Sequence, residues 1–77
     1  MQLYPVPVDR VLTVATPDAA TAQLQIAGAQ GVSFNPVIME RGDDYILLDV
    51  SGLKNGFYLL TVQTPHGQVT KRVAIQR

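Results

Sequence analysis

The stretch Tyr45–Arg77 constrains the fold of this chain more than any other part of it. It holds three apolar runs rich in the β-branched and aromatic residues that favour strands: Tyr45–Val50, Phe57–Val62 and Val69–Ile75. The first connection, Ser51–Gly56, is a cluster of turn-forming residues. The second, Thr64–Gly67, predicts a hairpin loop of about three to four residues with a bulge. We therefore predict an antiparallel β unit over this stretch.

The first connection also has a spacing with a specific structural meaning. Leu53, Gly56 and Tyr58 follow one another as in a tyrosine corner, where a tyrosine hydroxyl bonds back to the backbone at a crossing between sheets. Such a corner is typical of Greek-key sandwiches. We predict that these three residues, together with Gly67 in the hairpin, have structural roles.

The residues before Tyr45 add further short strands. Pro5 and Pro7 hold the backbone extended and lack donors, which favours an edge position. Val11–Thr16 is a strand, and residues 21–27 alternate between apolar and polar as a half-buried strand does. Asn35-Pro36 predicts one broken or bulged strand. The chain is therefore predicted to be all-β: one domain over residues 1–77, a small Ig-like antiparallel β-sandwich (Greek key) of about six to seven short strands.

Side-chain parity along the strands predicts which residues enter the core. The inward set is Tyr58, Leu60, Val62, Ile46, Leu48, Val50, Leu53, Val69, Val73 and Ile75. The opposite faces are not fully polar, because Tyr45, Leu47, Phe57 and Leu59 lie there. These four residues either pack under the proline segment and the turns, or form an exposed apolar contact surface.

Composition removes several classes of function. Six basic and six acidic residues cancel, so we expect no nucleic-acid partner. With no cysteine and one histidine, His66, we expect no metal site and no cofactor. His66 is predicted to be a solvated residue of the hairpin tip, and neither Ser33 nor Ser51 stands in the sequence context of a nucleophile. We predict that the chain is not an enzyme and has no catalytic residues.

Two short groups of residues are weaker indications of a binding function. Arg41-Gly42-Asp43 spells a tripeptide that integrins bind, although such short matches often arise by chance. Lys71, Arg72 and Arg77 form a basic cluster on the last strand. Lysine on an edge strand commonly prevents edge-to-edge aggregation, and the cluster could also meet an acidic partner.

In order along the chain, several segments together resemble the C-terminal sorting domain of type IX secretion cargo in Gram-negative bacteria. They are Tyr4-Pro5-Val6-Pro7-Val8 with Leu12-Thr13-Val14, Ala22–Ile26 with Gly28, Leu48-Asp49-Val50-Ser51 with Leu53, Gly56 and Tyr58, and Gly67, Val69, Lys71, Val73 and Arg77 at the end. Val6 stands where the family usually has Asn, which removes a side chain able to cap the turn between the prolines.

The resemblance implies a secretion-signal domain excised from a longer precursor. The outer-membrane translocon would recognise it in the periplasm and direct the parent protein to the outer membrane and cell surface. A surface sortase-like peptidase would then cut upstream of the domain and join the cargo to anionic lipopolysaccharide. In some members of the family the domain is retained instead.

We expect recognition at a free last strand, whose edge can pair with a partner or with a second copy as an edge-strand dimer. The predicted recognition residues are Lys71, Arg72, Val73, Ile75 and Arg77. The alternative is a generic Ig-like or fibronectin-like accessory or adhesion module that binds protein or glycan. That role needs exposed aromatic residues, of which this chain has few.

Overall fold

Alternating apolar residues and frequent turn formers fold this chain into short strands. The structure, a computed structural model, describes residues 1–5, 7–28 and 30–76. The strands are β1 (Gln2–Tyr4), β2 (Val11–Ala15), β3 (Gln23–Ala27), β4 (Ser33–Phe34), β5 (Val37–Arg41), β6 (Tyr45–Asp49), β7 (Gly56–Thr64) and β8 (Gly67–Ile75). The all-β prediction is confirmed. The described residues form eight strands, so the predicted count of six to seven is wrong.

The eight strands form two antiparallel sheets of four. Sheet 1 has the order β1-β2-β6-β5, and sheet 2 has the order β4-β3-β7-β8. The chain passes between the sheets after β2, β4 and β6, as in an Ig-like sandwich. None of the described residues belongs to a helix long and apolar enough to cross a membrane.

The core lies between the sheets and follows the predicted parity. Its buried residues are Val8, Leu12, Val14, Ala19, Ala22, Ile26, Ile46, Leu48, Val50, Leu60, Val62, Val73 and Ile75. Tyr58 is half-buried and packs against this cluster. Val69 is the exception among the predicted inward residues, because it is 45% exposed. It pairs with Val62 near the hairpin end of sheet 2, where the side chain lines an open cleft beside Met1 and Pro17.

The predicted broken strand around Asn35-Pro36 is two strands in different sheets. β4 pairs with β3 in sheet 2, whereas β5 pairs with β6 in sheet 1. Pro36 has no N–H to donate to a ladder, so the ladder can end here and the chain can cross. A register shift does occur, but it lies within β5 between Ile38 and Glu40.

The hairpin between β7 and β8 is tighter than predicted. Thr64 pairs with Gly67, which leaves a two-residue loop of Pro65 and His66, and the register from there to the Gly56–Ile75 pair has no shift. The predicted loop of three to four residues with a bulge is therefore wrong. Gly67 has φ of 139°, a conformation that L-residues rarely adopt. This glycine allows the short connection.

The last strand is only partly free along its outer edge. Val8 forms a parallel bridge with Ile75, in which the Val8 N–H donates to Ala74 O and the Gln76 N–H donates to Val8 O, both at 2.8 Å. The expected free last strand is thus wrong for its final residues. From Gly67 to Val73, the described residues form no strand pairing with this edge.

Candidate functional site

The corner between β6 and β7 forms as its spacing predicts. The Tyr58 hydroxyl donates to the Lys54 carbonyl oxygen at 2.6 Å, and the Leu53 N–H donates to Val50 O at 3.0 Å. Leu53 packs against the core, and Gly56 has φ of 152°. The tyrosine corner is confirmed, and it fixes the direction in which β7 and then β8 leave the crossing.

Pro5 and Pro7 lie between β1, which belongs to sheet 1, and Val8, which forms an isolated bridge with β8 of sheet 2. Both prolines are exposed, and the Tyr4–Pro5 peptide bond is cis. Before them β1 pairs with β2, and after them Val8 bonds to the end of β8. The proline segment therefore connects the edges of the two sheets, and it ends on the strand predicted to be recognised.

The structure does not bring the predicted basic cluster together on one face. Lys71 has the inward parity of Val73, and its ammonium donates to the Met1 carbonyl oxygen at 3.0 Å. Arg72 lies on the opposite face of β8, with its guanidinium 4.9 Å from the centre of the Phe57 ring. An inward-pointing lysine on an edge strand is a known protection against aggregation.

The remaining predicted recognition residues divide between the core and the end of the chain. Val73 and Ile75 are each only 3% exposed and pack between the sheets. Their side chains therefore do not face a partner in the folded domain. Arg77, like Val6 and Ala29, lies outside the described residues. The accessible part of the predicted set is Lys71 and Arg72.

The open stretch of the β8 edge presents backbone groups at regular intervals. In an antiparallel ladder, alternate residues direct N–H and C=O away from the neighbouring strand. Ala74 O and Gln76 N point away from β7, because both bond to Val8. The unshifted register places Gln68, Thr70 and Arg72 in the same orientation. These three residues form an open rim, which is the geometry that strand addition requires.

Arg41 has a structural role that the sequence reasoning missed. Its Nη1 donates to the carbonyl oxygens of Ala19 at 2.6 Å and Ala22 at 2.8 Å, and the Ala19 N–H donates to Asp43 O. The guanidinium thus ties β5 to the turn between β2 and β3. The Arg41-Gly42-Asp43 tripeptide is therefore part of the fold, with its arginine engaged. No local pattern indicated this contact, since the partners are 19 and 22 residues away.

His66 is exposed at the hairpin tip, as predicted, but it has a partner. Its Nε2 lies 3.1 Å from Asp18 Oδ2, which joins the hairpin to the turn after β2. No group of three or more His, Asp or Glu side chains in the described part of the chain could hold a metal ion.

The four apolar residues predicted on the outer faces lie on two different sheets. Tyr45 and Leu47 are half-buried on sheet 1, whereas Phe57 and Leu59 are 60% and 48% exposed on sheet 2. The packing alternative thus holds in part for the first pair. The second pair is exposed, and its role as a contact surface stays a prediction. They do not form one common patch.

These features together define a small Ig-like sandwich module with a partly open last strand. The family model for the secretion system C-terminal sorting domain matches residues 2–76, which is nearly the whole chain. The chain belongs to this family, and it is a type IX secretion C-terminal sorting signal, a class of domain that is not an enzyme family. Such a signal implies interaction with the secretion machinery and export toward the outer membrane or cell surface. Comparison with curated proteins finds no match, and comparison with solved structures finds none.

Proposed function

We propose that the domain is the part of a longer precursor that the outer-membrane translocon of the type IX system recognises. The precursor would cross the periplasm with the domain folded. The translocon would then carry it to the surface, where a sortase-like peptidase joins the cargo to anionic lipopolysaccharide. The observation that carries this proposal is the family match across residues 2–76.

The geometry supports recognition through the backbone of β8. Gln68, Thr70 and Arg72 offer outward N–H and C=O groups on a strand whose other edge is fixed by β7. A partner strand added here would gain backbone hydrogen bonds, and the exposed cations of Lys71 and Arg72 would favour an acidic partner. Val8 limits such a strand to the part of the edge before Ala74.

The experiment is a fusion of a reporter protein to residues 1–77, expressed in a host with a type IX system and in the same host without its translocon. We expect the reporter on the cell surface only in the competent host. Periplasmic retention in both hosts would contradict the proposal. It would favour the accessory-module alternative, which needs no recognition by the translocon.

Deleting residues 73–77 is a less specific test. The deletion should trap the fusion in the periplasm, but it also removes the core residues Val73 and Ile75. Loss of export would then mix loss of the signal with loss of the fold. A substitution that removes only an outward backbone N–H of β8 would separate loss of the signal from loss of the fold.

A further inference from the structure

The outer face of sheet 2 is polar but almost uncharged. Two rows of side chains cross β3, β7 and β8 in register: Gln23, Gln63 and Gln68 in one, and Gln25, Thr61 and Thr70 in the next. Thr61 is half-buried and the other five are exposed. On the described strands of this sheet, the one charged side chain of the outer face is Arg72, which lies beyond both rows.

The two rows offer many unused hydrogen-bonding groups. The Thr61 and Thr70 hydroxyls lie 3.0 Å apart and bond to each other, whereas no hydrogen bond to a described residue occupies the four glutamine amides. Each amide has two N–H donors and an accepting oxygen. Strands lie about 4.8 Å apart and successive outward residues about 6.8 Å apart, so these groups form a regular flat array.

A shallow groove runs over this array. It has a volume of about 320 Å³ and is lined by Gln23, Leu24, Gln25, Asn35, Thr61, Gln63 and Gln68. Next to the second row lies Leu59, 48% exposed and paired with Ala27 and Arg72. The face therefore combines uncharged donors and acceptors with a small apolar strip at one end.

This chemistry selects against several kinds of ligand. An anion such as a phosphate would need cations, which the two rows lack. The core of a stable protein interface is apolar and rich in aromatic residues, whereas here the apolar groups stand only at one end of the face. A neutral chain of hydroxyl groups, which both donate and accept, matches the amides and threonines. We propose that the outer face of sheet 2 binds a linear neutral polysaccharide, with sugar rings against Leu59 and against Phe57, an exposed aromatic residue of the same face.

The binding does not depend on export, so it can be tested with the isolated 77-residue chain. The probes are cellohexaose, maltohexaose and laminarihexaose, with oligogalacturonate as the charged counterpart. Side-chain amide signals in nuclear magnetic resonance spectra report on each glutamine separately. We expect at least one neutral hexasaccharide to shift the signals of Gln23, Gln25, Gln63 and Gln68. The amides of Gln2, Gln30 and Gln76, which are the other glutamines of the chain, should stay in place.

Variants test whether the rows are the site. Gln25→Glu combined with Gln63→Glu keeps side-chain size but replaces two amide donors by charges, and should weaken binding by about tenfold or more. Gln2→Glu, on the edge strand β1 of sheet 1, is the matched control and should leave affinity unchanged. Added salt should change the affinity little, because the ligand is uncharged.

Three results would overturn the proposal. One is the absence of shifts with all three neutral hexasaccharides. The second is equal or stronger binding of oligogalacturonate. The third is a shift of the same four amides on raising the protein concentration alone, which would assign the face to a second copy of the chain.

Discussion

Gly56 is the first residue of β7, and its backbone conformation allows the chain to enter this strand from the corner. Its φ of 152° is rarely adopted by L-residues, while a Cβ added there would meet no atom within 4 Å. Gly56→Val should therefore destabilise the domain by about 1–3 kcal/mol through backbone strain alone. Gly52→Val is the control, because Gly52 has equally open space and no positive φ. Equal free energies of unfolding for the two variants, measured in urea, would contradict the strain.

The hydrogen bond of the Tyr58 hydroxyl is the second feature of this corner that a substitution can test. Tyr58→Phe removes the 2.6 Å bond to the Lys54 carbonyl and changes little else. We expect a loss of about 1 kcal/mol in the free energy of unfolding. Tyr4→Phe, at an exposed tyrosine of β1, should cost less. If the two substitutions cost the same, the corner bond does not contribute to stability.

Tyr45 gives the domain a dependence on alkaline pH. Its hydroxyl donates to the Glu40 carboxylate, and this bond raises the pKa of Tyr45, with burial and the charges of Glu40 and Asp44 adding to the effect. The raised pKa means that the unfolded chain loses its proton first. The stabilisation is therefore complete below the ordinary tyrosine pKa of about 10 and is lost as pH rises through the folded value.

Two substitutions check the cause by nuclear magnetic resonance titration of the Tyr45 ring. Glu40→Gln should lower the pKa of Tyr45 more than Asp44→Asn does, because the hydrogen bond is the largest cause and the Asp44 charge the smallest. A larger effect of Asp44→Asn would show that charge, and not the hydrogen bond, controls the titration.

At the scale of elements, Arg41 joins β5 to the turn between β2 and β3. Arg41→Met keeps the length of the side chain but removes two charge-assisted bonds to backbone carbonyls. We expect a loss of about 2 kcal/mol in the free energy of unfolding. Arg10→Met, at an exposed arginine, should change it by less than about 0.5 kcal/mol. Equal effects would remove the assigned role of Arg41.

The adhesion hypothesis requires the Arg41 side chain to be available to a partner and not bonded within the domain. A partner that reads Arg41-Gly42-Asp43 needs the guanidinium, which here bonds to Ala19 and Ala22. We therefore expect integrin-bearing cells to attach to a surface coated with the domain no better than to one coated with the Asp43→Glu variant. Attachment that Asp43→Glu abolishes would revive that hypothesis.

Elements whose signals are local were predictable from the sequence, and those decided by distant contacts were not. The strands of the second half and the corner at Tyr58 follow from alternation and spacing within a few residues. Asn35-Pro36 marks an interruption, but nothing nearby tells whether the chain continues in the same sheet. The bridge from Val8 to Ile75 joins residues near opposite ends of the chain, so no local sequence pattern predicts it.

The candidate site was predictable to the same extent. The last strand could be identified, and with it Lys71 and Arg72. That these two side chains point to opposite faces follows from their adjacency in a strand, a consequence that the idea of a basic cluster overlooked. The polar rows of sheet 2 emerge only once β3, β7 and β8 are placed side by side.

At the scale of the whole molecule, the two long edges of sheet 2 differ. One ends in the two-residue strand β4, which is too short to template a partner. The other is β8, nine residues long, covered by Val8 at its end and open before it. β4 pairs with only Ile26 and Ala27 of β3, so among the described residues of sheet 2 the longer open edge for strand addition is that of β8. The proposed export signal involves the outward backbone N–H and C=O groups at the edge of β8. The proposed polysaccharide site involves side chains on the outer face of sheet 2, so the two proposals concern different surfaces of this strand.

The central claim, that the translocon reads the backbone rim of β8, is tested most directly by Thr70→Pro in the reporter fusion. Proline removes the outward N–H of Thr70, which the ladder with β7 does not use, so the sandwich should persist. Thr70→Ala is the control, because it keeps the N–H and loses only the Thr61 contact. Urea unfolding of both isolated domains should confirm that each is folded. We predict surface display for Thr70→Ala and periplasmic retention for Thr70→Pro, whereas equal display of the two folded variants would contradict the claim.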